Sequence, residues 1–216
     1  MRLWTLVDEE VWQRLQDAEF LYANPQHTSE DEEWFKDCVG AYDWMRLQMH
    51  RRIPGYGGRY PWWAWHTVDG RHKVDLRMRS MFHWKGASEY RLRLELDVPD
   101  GEVLLSDYDH WHVVLNATTM GRREGMGFHY WHTIPLSVRE ERAMMARFRT
   151  MTYQERAAFC MKNWERIFLL SYPKRRKECG WGWGPAGQSQ NIQACFEVLR
   201  RENVVTVTRF KNRPVS

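Results

Sequence analysis

Residues 90–98 read Tyr-Arg-Leu-Arg-Leu-Glu-Leu-Asp-Val, and this alternation constrains the fold more than any other feature of the chain. Leu92, Leu94, Leu96 and Val98 fall on one side of an extended chain. Arg91, Arg93, Glu95 and Asp97 fall on the other. A period of two cannot form an amphipathic helix, so a sheet with one apolar face must exist. Pro99 ends the strand and Pro-Asp-Gly turns the chain into a short apolar strand, Val103 to Ser106. Further strands are expected at 2–6 (RLWTL), 20–23, 60–68 (YPWWAWHTV) and 204–210 (VVTVTRF). In the tryptophan-rich strand, Trp63 and Trp65 share one face and Trp62 and Ala64 the other. Asp69-Gly70 marks a hairpin turn, with RHKVDLRM as its returning strand.

Helices alternate irregularly with these strands. Asp8 can cap a helix with Glu9 and Glu10 in its first turn. Capping boxes stand at Ser29–Glu32, Ser137–Glu140 and Thr152–Glu155. They open helices ending before Pro54, near Arg149 and near Leu170. Residues 190–201 are read as a further helix. No βαβ regularity appears. The expectation is an α+β fold over residues 1–216 as a single domain, with a mixed or largely antiparallel sheet and flanking helices.

The 216 residues carry 13 Trp, 9 Tyr and 9 Phe. That many indoles suits either a Trp-rich core or a cleft where flat ligands stack. The net charge of +4 permits nucleic-acid binding without demanding it. A basic run, PKRRKECG, covers 173–180, and a glycine-aromatic stretch, GWGWGPAG, covers 180–187. The four cysteines at 38, 160, 179 and 195 form no CxxC pair, so they are expected to be reduced thiols. The first residues lack the pattern of a secretory signal and no apolar run approaches a membrane span. A cytoplasmic protein without membrane partners is expected.

The stretch LLSDYDHWHVVLN, 104–116, concentrates Asp107, Asp109, His110, His112 and Asn116 around Trp111. Ser106 can cap a helix over roughly 107–115, ending at Asn116. Trp111 and Val114 would face inward, Asp109 and His110 solvent, and His112 or Asn116 neighbouring polar groups. In a helix His110 and His112 sit about 200° apart and cannot share a metal. His129 and His132 in FHYWH could meet on a helix. No HExxH, P-loop or GxSxG pattern is present, and no metal is expected.

RLWT, YDWM at 42–45, WAW at 63–65, DLR at 75–77, VLLSDYDHWHVVLN, NWERIF at 163–168 and IQACFEVL with VVTVTRF together resemble the bacterial DUF3841 family. That family's function is unknown, and the resemblance covers nearly the whole chain. At fold level, the opening strand, helix and strand, followed by RLELDVPDGEVLL, resemble the ADP-ribosyltransferase-like superfamily. This second resemblance implies NAD held in the cleft of a split sheet. A basic or polar group on the first strand would grip the dinucleotide, aromatics would stack on nicotinamide, and a carboxylate would stabilise the oxocarbenium-like state. Asp75, Asp107, Glu165 and Glu197 are the candidate carboxylates. Arg2, Thr5, Arg77 and Gln193 are candidates for phosphate or ribose, and Trp63 and Trp65 for the stacking face. His112 and Asn116 complete the cofactor-binding set. Three functions stay open: an NAD-using transferase acting on nucleic acid or protein, a non-catalytic nucleic-acid-binding module, and a metal-dependent hydrolase.

Overall fold

The computed structural model describes residues 1–24, 32–72, 90–123, 128–171 and 189–211. These contain five α-helices and eight strands, an α+β fold. The chain divides into two compact units. One comprises Met1–Asn24, Arg46–Leu105 and Gln193–Ser216; the other comprises Pro25–Met45 and Ser106–Ile192.

The first unit is built on β1 (Arg2–Val7), β3 (Trp62–Thr67), β4 (Tyr90–Asp97) and β8 (Val204–Lys211). β1 runs antiparallel to β3 and to β4, and β4 antiparallel to β8. With β5 (Leu104–Asp107) and β6 (Ile192–Phe196) the six strands lie in the order β5-β6-β3-β1-β4-β8. Separately, β2 (Phe20–Tyr22) pairs antiparallel with β7 (Val198–Arg200). The leucines of β4 do what their alternation requires. Leu92, Leu94, Leu96 and Val98 are buried with Leu3, Val7, Ala64, Ala194 and Phe196. Leu15 of α1 (Glu9–Ala18), with Val11 and Trp12, closes over this face, as do Leu21 of β2 and Leu199 of β7. Trp62 joins them and donates its indole N–H to the Leu21 carbonyl at 2.9 Å.

Local readings of the sequence meet mixed outcomes. Asp69 and Gly70 both take positive φ, 50° and 71°, and Val68 and Arg71 exchange both backbone hydrogen bonds at 3.0 Å. This is the left-handed pair a tight hairpin turn needs. The returning strand lies outside the described residues beyond His72, and so does the capping box at Ser29. Asp8 occupies the N-cap of α1 without a side-chain cap bond; its carboxylate pairs instead with Arg91 at 3.4 Å. Residues 190–201 form no helix. They are β6 and β7, separated by a bend at Glu197. Gln193, Ala194, Cys195 and Phe196 are all buried, so both faces of β6 are covered. A strand covered on both faces loses the alternation that would reveal it.

In the second unit lie the first part of α2 (Glu32–Arg52), α3 (Tyr108–Arg123), α4 (Val138–Phe148) and α5 (Tyr153–Asn163). Of two 3₁₀ turns, Tyr130–His132 lies between α3 and α4 and Trp164–Phe168 follows α5. Ser137 and Thr152 cap α4 and α5, accepting from Glu140 N at 3.1 Å and Glu155 N at 3.3 Å. Trp44 packs edge-on to Trp164 and stacks on Phe168, while Tyr42 meets Trp111 edge-on. The NWERIF block is a clamp for the extended segment after His132. Asn163 Oδ1 accepts from Ile134 N at 2.5 Å, Trp164 Nε1 donates to His132 O at 2.8 Å, and Arg166 Nη1 donates to Ile134 O at 2.8 Å. Arg166 also pairs with Glu140 at 2.5 Å, and Glu140 accepts from Leu136 N at 2.7 Å. Asn163 and Ile134 are buried. Asn163→Ala therefore strands a buried N–H and is expected to cost about 1–3 kcal/mol, read from the midpoint of urea unfolding.

Candidate functional site

The face of the first unit's sheet turned away from the leucine core gathers most of the expected binding residues. On β1, Leu3, Thr5 and Val7 point to the core side, so Arg2, Trp4 and Leu6 point to the other. Pairing places Arg2 across from Asp97, Trp4 across from Glu95 and from Trp65, and Leu6 across from Arg93. Trp63 shares the face of Trp65. On β6, Ala194 and Phe196 belong to the core cluster, so Gln193 and Cys195 turn to the same side as the two indoles. β6 and β3 are neighbours in the sheet. Arg2, Trp63, Trp65 and Gln193 thus share one face.

That face carries charge as well as aromatic surface. Arg2 bridges Glu95 at 3.4 Å and Asp97 at 3.8 Å. Arg93 donates to Thr208 Oγ1 of β8 at 3.4 Å. Arg91 is pushed below the ordinary guanidinium range by burial, against the opposing pull of Asp8. Trp4 is buried with Val68, flanked by Leu6 and Trp65, and meets the His72 ring edge-on at 5.3 Å. The Gln193 side chain is buried, and its Nε2 has no hydrogen-bond partner among the described residues. Glu95, Asp97 and Trp4 were not among the expected site residues; the alternation of YRLRLELDV puts Glu95 and Asp97 on the polar side, and pairing brings Trp4 to them.

The other expected residues are placed elsewhere. Thr5 lies on the core side, where its hydroxyl donates to Trp63 O at 2.9 Å, so it braces β1 on β3 and is not available to a ligand. Glu197 accepts from Gly57 N and Arg59 N, both at 2.9 Å, and fixes the loop after α2. Arg46 holds the same loop through Gly58 O at 2.9 and 2.7 Å. Tyr56, whose hydroxyl donates to Arg59 O, is pushed up to about 12 by burial and then by Glu197. Asp75 and Arg77 lie outside the described residues.

In the second unit, Asp107 is a buried hub. Its Oδ1 accepts from His110 N at 2.8 Å and lies 3.5 Å from His110 Nδ1; its Oδ2 accepts from Ser189 Oγ at 2.6 Å. The cap of α3 is therefore Asp107, not Ser106. Ser106 is still strand, buried, with its Oγ lacking a partner among the described residues. His110 is wholly buried rather than in solvent, because the N3 position of a helix capped by a buried carboxylate lies beneath the surface with it. Trp111 and Val114 face inward and Asp109 is exposed, as expected. α3 runs on through Asn116 to Arg123. His112 and Asn116, one turn apart, are exposed, and His112 Nδ1 meets Tyr108 O at 2.9 Å. The Ser189 hydroxyl is thus committed as a donor to Asp107. Glu165 pairs with exposed Lys162 at 3.4 Å.

The histidines of this unit do not converge on a metal-binding set among the described residues. His132 Nδ1 accepts from His129 N at 3.2 Å, so the neutral ring carries its proton on Nε2 and has no lone pair there to offer. Burial, and then His129, push His132 down to about 4.

Two consequences are measurable. Asp107→Ala removes the cap and the Ser189 acceptor together and is expected to lower stability by about 1–3 kcal/mol in thermal or urea unfolding. His132 has a folded pKa below its unfolded value near 6.5. Its contribution is intact above that value and is lost as pH falls toward about 4. Within that window the unfolded chain holds one more proton, and the slope approaches about 1.4 kcal/mol per pH unit. His132→Phe should flatten that part of the stability profile.

No curated protein and no solved structure matches the chain. The model of a domain of unknown function, DUF3841, matches residues 2–205, nearly all of the 216. The chain belongs to the DUF3841 family.

Proposed function

We propose that the face bearing Arg2, Trp63, Trp65, Arg91 and Arg93 binds single-stranded nucleic acid, without catalysis. The observation that carries this reading is the juxtaposition itself. Aromatic rings on β3 and guanidinium groups on β1 and β4 occupy one sheet face. Bases stack on aromatic rings whatever their sequence, and arginines meet the backbone. Sheet faces suit this because alternate residues present a flat array at fixed spacing.

A second reading, an NAD-using ADP-ribosyltransferase, is favoured by one observation. Glu95 and Asp97 stand on the same face and hold Arg2, so a carboxylate and a cation accompany the indoles. Its expected carboxylates at Asp107, Glu165 and Glu197 are engaged elsewhere, which ranks it second.

Titration of a fluorescently labelled oligothymidine with the full chain tests the first reading. Affinity should fall with salt, by about 0.7 in log K per log salt for each phosphate contacted. Trp63→Ala and Trp65→Ala should each cost about 1–3 kcal/mol, with circular dichroism confirming that the fold survives. Failure to bind at low salt sinks the nucleic-acid reading. Release of nicotinamide from NAD by the purified chain would establish the transferase instead.

A further inference from the structure

The second unit holds a cluster that none of these readings uses. Phe128, His129, Tyr130, Trp131 and His132 are consecutive, and the last three form a 3₁₀ turn. The turn is firmly held. His132 N donates to His129 O at 3.0 Å, Thr133 N to Tyr130 O at 3.1 Å, and Trp164 Nε1 grips His132 O. Helix α5 backs it. Tyr153 meets Phe128 at 5.8 Å between centroids, and the Cys160 thiol donates to His129 O at 4.0 Å. Residues 153, 156 and 160 share one face of that helix, so Arg156 lies between these two contacts.

The backbone of the turn is bonded and His132 Nδ1 accepts from His129 N, but the outer ring nitrogens are not. His132 is 2% exposed, and its Nε2 has no partner among the described residues. His129 Nε2 and Arg156 Nε are likewise buried without one. Buried donors without acceptors are costly and rare, and each calls for a missing group. The wiring at His132 Nδ1 makes its Nε2 a donor, and Arg156 is cationic, so the missing group is an acceptor and an anion. Above them Trp131 is 44% exposed and stacked on His129 at 4.2 Å and 11°, and Tyr153 is 58% exposed. An exposed indole held rigid by an imidazole is a surface for a second flat ring.

We propose that the 128–132 turn and the Tyr153–Arg156–Cys160 face of α5 form a binding site for a nucleotide, its base on Trp131 and its phosphate toward Arg156. His132 and His129 supply hydrogen bonds, and Arg156 supplies the charge. Cys160 takes no chemical part: burial pushes its thiol up to about 12, leaving it protonated. The site shares no residue with the sheet face of the first unit.

Calorimetric titration of the full chain with adenosine 5′-monophosphate, adenosine and inorganic phosphate tests it. The monophosphate should bind more tightly than either part. Trp131→Ala should weaken it about 5- to 150-fold, the range expected for one stacked base. Arg156→Gln should reduce the monophosphate to the affinity of adenosine. The proposal is overturned if the monophosphate does not bind at millimolar concentration, or if Trp131→Ala and Arg156→Gln, both folded by circular dichroism, bind it as the unaltered chain does.

Discussion

The pairing of β1 with β4, Arg2 with Asp97 through Val7 with Leu92, is the constraint on which the first unit rests. A slip of one residue would carry Leu92, Leu94 and Leu96 out of the core and put Arg93 and Glu95 into it. Several buried leucines, at roughly 1.5–3 kcal/mol each, oppose that slip. The charged side holds the same register through Arg2 with Glu95 and Asp97, although these exposed pairs contribute far less. Burial therefore chooses the register, and the outer face inherits its composition as a consequence. The indoles of β3 share the face of Arg2 because Trp4 pairs with Trp65 while Leu3 and Ala64 are both in the core.

How much was legible follows from how local each cause is. The β4 strand, the Asp-Gly turn and the caps at Ser137 and Thr152 depend on a few adjacent residues, and the sequence announces them. β6 depends on what covers it. Gln193 to Phe196 are buried on both sides, and an apolar run without alternation fits a helix as well as a strand. The cap of α3 was misplaced by one residue for a similar reason. Ser106 and Asp107 are both good caps, and the choice fell to Asp107 because Ser189, 82 residues away, supplies a second hydrogen bond to the same carboxylate. His110 followed Asp107 into the interior, which no local pattern encodes.

The candidate sites divide along the same line. Trp63 and Trp65 were placed together by strand alternation; Arg2 joins their face through the pairing of β1 with β3, and Gln193 only once β6 is seen as a strand beside β3. The His129–Arg156 cluster could not be read from the sequence, because its two halves are joined only where α5 packs on the 3₁₀ turn.

The carboxylates show why residue type is a poor guide to chemistry. Asp107, Glu197 and Glu140 all look available in the sequence. In the fold, Asp107 accepts from His110 N and Ser189, Glu197 from two loop N–H groups, and Glu140 from Leu136 N and Arg166. Each closes a segment that has no regular partner for its backbone, and a buried or half-buried N–H must find an acceptor somewhere. A carboxylate so engaged is a structural tie, and recruiting it as a base or nucleophile would release the segment that it holds. The chemically informative groups are the reverse case: Gln193, His129, His132 and Arg156 have side-chain nitrogens without a partner among the described residues. Such groups weaken the folded chain on their own, so the places where it carries them are where a ligand has most to offer.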